Sequence, residues 1–100
     1  MALRWSDSAI ADLKRIQGYI ARDSPKEAQR VVGTVFRAAE GLVTLPFVGH
    51  AGPDVEGERE RPLSQGGYVL LYRVIADHRS RGGKAEVEIV RVLGPGWQRG

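Results

Sequence analysis

The 100-residue sequence has no cysteine, only two histidines and no apolar run near the ~20 residues that cross a bilayer. Without cysteine there are no disulfides, no thiolate nucleophile and no cysteine-based zinc site. His50 and His78 fall in separate loop-forming stretches, and neither has a second histidine or a carboxylate at ligand spacing. No metal or other cofactor is therefore expected. The stretch Ala2-Leu3-Arg4-Trp5-Ser6-Asp7 offers no apolar core for a signal peptide, so the expected location is cytoplasmic. Ser64 and Ser80 have no base nearby in sequence, which gives nucleophilic catalysis no foothold.

What is present suits one soluble domain over residues 1–100. Hydrophobic residues make up 42% and charged residues 27%, enough apolar surface for a single core. The net charge of +3 is mildly basic and does not by itself specify a nucleic-acid partner.

Ala2 to Trp5 suggests a brief strand. Ser6 then reads as a helix N-cap, with Asp7 in the first turn where the helix dipole favours an anion. Ile10, Leu13, Ile16 and Ile20 keep helical spacing as far as Arg22. Ser24-Pro25-Lys26-Glu27 combines a cap serine, a first-turn proline and the glutamate of a capping box. An apolar stripe from Ala28 to Val43 carries this second helix to about Leu45, before Pro46. Only Asp23 and Ser24 separate the helices, so they should form an antiparallel hairpin. Phe47 to Gly57 reads as loop, and strands follow at Glu58–Leu63, Tyr68–Ile75 and Ala85–Leu93. The middle strand is almost wholly apolar, as expected of one buried on both faces. Glu86 and Glu88 should face away from Val87 and Ile89. The expected fold is α+β, an N-terminal helical hairpin packed on a small twisted antiparallel sheet.

Several separated segments resemble the ParE-type toxins of the RelE/ParE superfamily. They are Trp5-Ser6 at the helix entry, Tyr19-Ile20-Ala21-Arg22-Asp23-Ser24-Pro25 at the helix junction, and Leu45-Pro46-Phe47-Val48-Gly49-His50 after the second helix. Arg61-Pro62-Leu63, Tyr68-Val69-Leu70-Leu71-Tyr72-Arg73-Val74 and Ile89-Val90-Arg91-Val92-Leu93 are similar to the family's closing strands. The resemblance implies the toxin of a type II toxin–antitoxin pair. Its antitoxin would be ParD-like, with a ribbon-helix-helix head that binds DNA and a tail that wraps the toxin, often in a heterotetramer. The toxin itself would meet DNA only through that partner.

The superfamily holds two activities, messenger-RNA cleavage on the ribosome (RelE-like) and inhibition of DNA gyrase (ParE-like). Metal-free RNA cleavage needs a proton acceptor, a proton donor and cations around the phosphorane. RelE-like ribonucleases carry these groups just after the tyrosine of the central strand and beyond the last strand. Here those places hold Val69 and Gly94-Pro95-Gly96-Trp97. Gly94 also departs from the histidine that many ParE-like relatives have there. The sequence thus favours a gyrase-directed toxin that acts by binding. A ribonuclease and an inactive antitoxin-binding relative are the alternatives.

Arg59, Arg61, Arg73 and Arg91 fall on three adjacent expected strands. An arginine inside a sheet costs several kcal/mol unless it is paired or reaches water. One reading pairs these residues internally with Glu60, Glu86 or Glu88. The other makes Arg61, Arg73 and Arg91 a cationic strip, on the face opposite the helices, for an acidic antitoxin tail. Trp97, with Arg99 beside it, either covers the edge of the core or anchors the toxin on its target.

Overall fold

The computed structural model describes residues 2–52, 55–63 and 66–95. Its elements are β1 (Leu3–Trp5), α1 (Asp7–Ala21), α2 (Pro25–Gly41), β2 (His50–Ala51), β3 (Glu58–Pro62), β4 (Val69–Asp77) and β5 (Ala85–Leu93). The strands form one sheet in the order β1-β5-β4-β3-β2. Consecutive strands from β2 to β5 pair antiparallel, as their short connections dictate. The sheet as a whole is mixed, because β1 joins β5 in parallel with α1 and the rest of the chain between them.

Both helix starts are built as their sequences predict. Ser6 Oγ accepts from Ala9 N at 3.0 Å, and Ser24 Oγ accepts from Glu27 N at 3.1 Å. Only half of the capping box forms at α2. Ser24 N donates back to Ile20 O, and the Glu27 carboxylate turns to Arg30. The end of α2 also differs, stopping at Gly41 rather than Leu45. Residues 42–44 tighten into i→i+3 turns, and Val43 O accepts from Ala85 N at 2.8 Å. That carbonyl lies in the last turn, where no intrahelical donor reaches it, and a strand satisfies it instead.

The apolar stripes of α1 and α2 pack on one face of the sheet. Ala9 and Ile16 of α1, Val31, Val35 and Ala39 of α2, and Leu42 meet Leu70, Tyr72, Val87, Ile89 and Val92. Glu86 and Glu88 alternate away from the buried Ala85, Val87 and Ile89, as expected. Strand β4 is buried on both sides only at Leu70, Leu71 and Tyr72, and beyond them Arg73 and Ile75 are exposed.

Tyr72 fixes the part of the fold that helices do not cover. Its hydroxyl donates to Pro46 O at 2.6 Å and accepts from Gly49 N at 3.0 Å. That draws residues 46–49 against β3 so closely that a Cβ on Gly49 would sit 2.4 Å from Glu60 O. Glycine is required there by space. Removing the hydroxyl with Tyr72→Phe strands two buried backbone groups, a cost of about 1–3 kcal/mol. For a domain of this size the melting temperature should fall by roughly 5–15 °C. A calorimetric trace that superimposes on wild type would refute the role given to this hydroxyl.

Candidate functional site

Asp12 lies on the apolar side of α1, one turn from both Ala9 and Ile16, and is 3% exposed. A buried carboxylate is costly unless donors surround it. Arg91 Nε and Nη2 donate to it at 2.6 and 2.9 Å, Val92 N at 2.9 Å and Arg15 Nη2 at 3.3 Å. The cluster meets a need of the sheet. Strand β1 pairs with β5 only at Val87, Glu88 and Ile89. Past that point the edge of β5 takes partners from α1 and its cap. Ser6 Oγ donates to Val90 O at 2.7 Å, and Asp12 accepts from Val92 N. The hydrogen bonds that Arg91 donates to Asp12 raise its pKa above the ordinary value.

This arrangement corrects the expected arginine strip. Arg91 is paired, and its partner is Asp12 of α1 rather than Glu60, Glu86 or Glu88. Arg61 pairs in register with the core residue Leu70, and its guanidinium donates to Pro62 O at 2.7 Å. Arg73 is exposed and stands in register between Glu58 and Glu88, with Arg4 on the far side of Glu88. The row Arg4–Glu88–Arg73–Glu58 therefore alternates in sign across four strands. Strand pleat puts Arg61 and Arg73 on opposite faces, so the three arginines do not share one surface. Trp97 and Arg99 lie outside the described residues.

The sequence carried a signal for Asp12 that a count of hydrophobic spacings passes over, namely an acid inside an apolar helical stripe. Such a residue must find a cation or backbone N–H groups, and the strand arginine flanked by valines was waiting for an acid. Each was visible alone. Their pairing spans 79 residues of sequence and needs the fold.

Beside this cluster two adjoining hollows open between the helical hairpin and the end of the sheet, and both are lined by Ile20 and Tyr68. The larger, about 730 Å³, extends past Ile16 and Tyr19 to Arg15, Arg91, Gly94 and Pro95. The smaller, about 190 Å³, has Val31, Val35 and Leu63 in its walls, with Glu27 and Arg30 beside them. Glu27 and Arg30 form an ion pair, with Arg30 Nε donating at 2.8 Å. Burial pushes the Tyr68 hydroxyl's pKa up, and the Glu27 carboxylate adds to the effect. The groove has an apolar floor, two tyrosines and charged groups at both ends. That combination suits a polypeptide with apolar side chains and an acidic stretch.

The two histidines are far apart in the fold. His50 Nε2 lies 3.1 Å from Glu60 on the β2–β3 pair, and His78 Nε2 lies 2.8 Å from Glu86 beside the β4–β5 connection. Among the described residues no group of three or more potential ligands gathers to hold a metal. Nor, among them, is any helix long and apolar enough to cross a membrane.

Comparison with known proteins identifies the family. The sequence matches, over residues 3–94, the family described as the ParE toxin of the type II toxin–antitoxin system parDE, and the chain belongs to that family. It is 33% identical over 75 residues to Y4kP of Sinorhizobium fredii, a protein named as a candidate toxin, covering 75% of this chain and 77% of that one. A solved structure titled as a chromosomal ParDE toxin–antitoxin system from P. aeruginosa superposes with a TM-score of 0.73 at 23% identity. That match covers 94% of this chain and 95% of the other, and it establishes the shared fold.

Asp12→Ala should destabilise the domain by about 3–5 kcal/mol, since it leaves Arg91 and the Val92 N–H without their acceptor. Arg15→Ala should cost under about 1 kcal/mol, because that end of the cluster is solvated. Urea titrations of the two variants test the ranking, and equal midpoints would remove Asp12 from its central place.

Proposed function

We propose that this ParE-family toxin works in the cytoplasm, is neutralised by a cognate ParD-like antitoxin, and acts by binding and inhibiting DNA gyrase. The observation that carries the neutralisation is the groove at Ile20 and Tyr68, an apolar channel flanked by charge beside the α1–β5 junction. An antitoxin tail would lay apolar side chains on its floor and an acidic stretch toward Arg15 and Arg91. Of the arginines expected to meet the antitoxin, Arg91 lines this groove, whereas Arg61 and Arg73 are given no part in it. Trp97 and Arg99 stay as proposed contacts to the target.

Action by binding, rather than by RNA cleavage, is supported by the surroundings of Val69. This is the central-strand position where RelE-like relatives carry an ionisable group, and here it pairs in register with Pro62 and Leu93. Of the charged groups nearby, the Arg91 guanidinium is bound to Asp12 and that of Arg61 to a backbone carbonyl. Both are engaged within the chain; Arg91 lines the groove with its charge already balanced by Asp12, and Arg15 is left as the cluster's net positive charge.

The test places the purified toxin in a gyrase supercoiling assay and in a ribosome-programmed messenger-RNA cleavage assay, each with and without the antitoxin. Expected are loss of supercoiling, its recovery at stoichiometric antitoxin, and intact messenger RNA. Cleaved RNA with normal supercoiling would overturn the gyrase reading. Activity that antitoxin leaves unchanged would overturn the neutralisation.

A further inference from the structure

Tyr68 stands where the two hollows between the hairpin and the sheet meet. The backbone around it is fixed, because Leu63 N donates to Tyr68 O at 2.8 Å. Gly66 backs its ring so closely that a Cβ there would lie 2.6 Å from ring carbon Cε2. The side chain is half-buried, and burial pushes the hydroxyl's pKa up, so it stays a neutral donor at physiological pH. Among the described residues that hydroxyl has no hydrogen-bond partner. A held, half-buried donor between two apolar hollows is a group that a ligand completes.

The charges along the groove divide it. At the smaller hollow the Glu27 carboxylate and the Arg30 guanidinium cancel, and Ile20, Val31, Val35 and Leu63 make the walls apolar. At the larger hollow the buried Asp12 bonds both Arg91 and Arg15. One carboxylate there meets two guanidinium groups, so the cluster keeps a single net positive charge. The Arg15 side chain, 63% exposed, presents that charge to the groove. An occupant thus meets neutral apolar walls at one end and a cation at the other. The surface is continuous, since Ile20 and Tyr68 line both hollows.

We propose that the groove reads an ordered pair of side chains on the antitoxin tail. A branched aliphatic side chain fills the smaller hollow, and a carboxylate sits at Arg15. Between them a main-chain carbonyl of the tail accepts from the Tyr68 hydroxyl. The inference deepens the neutralisation reading and rests on it, naming Arg15 and Tyr68 as residues that select the partner. A charged side chain in the smaller hollow would lose its water without gaining a counter-ion, because Glu27 and Arg30 already satisfy each other. The reverse order sets a carboxylate beside Glu27 and an apolar group at Arg15, and like charges exclude it. A nucleic-acid strand would lay phosphates against apolar walls and a single net cation.

The test uses the full chain, with the purified antitoxin and a random peptide library displayed on phage as probes. Thr34, half-buried, lines the smaller hollow, so Thr34→Trp fills it. Arg15→Ala removes the net charge, and Tyr68→Phe removes the donor. Titrated with antitoxin, the first two should each lose roughly tenfold or more in affinity. Tyr68→Phe should lose roughly three- to tenfold while melting like wild type, which separates a hydroxyl used by the ligand from one used by the fold. From wild type the library should yield peptides that combine leucine, isoleucine or valine with an acid. On Arg15→Ala the acid should no longer be selected. Arg15→Ala and Tyr68→Phe cover the case in which Thr34→Trp misfolds. Undiminished antitoxin affinity in either of them overturns the proposal and leaves neutralisation standing. An antitoxin that does not bind wild type sinks the neutralisation reading and the proposal with it. Wild-type peptides without an acid, or an unchanged set on Arg15→Ala, overturn the role of Arg15. So would toxin self-association that the variants abolish with antitoxin binding intact, which gives the groove to a second copy.

Discussion

The structure turns on one carboxylate. Asp12 sits where α1 crosses the edge of β5, and there it takes the place of the strand that β1 is too short to be. Three constraints meet at that point. The β5 backbone needs an acceptor, Arg91 needs an anion, and α1 needs a fixed register on the sheet. A single buried acid meets all of them, and because it is buried, losing it leaves Arg91 and the Val92 N–H without their acceptor. The groove beside it inherits this rigidity. Ile16, Tyr19 and Ile20 continue along α1 from Asp12, and Arg91 forms part of the same wall.

A second, independent anchor organises the other end of the sheet. Tyr72 reaches from the core to the segment after α2 and ties it down through two backbone groups. The two ends of the sheet thus have separate supports.

Much of the fold was legible because local chemistry and tertiary packing agree. Ser6 and Ser24 cap the helices that their sequences announce, and the valine stripe of α2 faces the core. Where the reading fell short, a distant partner had intervened. Past Gly41 the chain tightens into i→i+3 turns, and the Val43 carbonyl goes to Ala85 of β5. His50 and Ala51, in a glycine-rich stretch that reads as loop, gain strand character only by pairing with β3. The parallel β1–β5 pair joins the two ends of the chain, and no window of sequence contains both. For the candidate site, the strands that carry the arginines were legible in the sequence, but the faces they occupy were not. Register decides on which side of the sheet each stands, and the irregularity between Leu71 and Tyr72 shifts that register beside Arg91.

Amide hydrogen exchange at Val92 examines the Asp12 linchpin most directly. In wild type this N–H should rank with the slowest in the domain, exchanging only on global unfolding, as befits a donor to a buried carboxylate. In Asp12→Asn it should exchange far faster than the other core amides of β5, such as Ile89, which stay protected. Rapid exchange at Val92 in wild type, or identical protection in both proteins, would contradict the account.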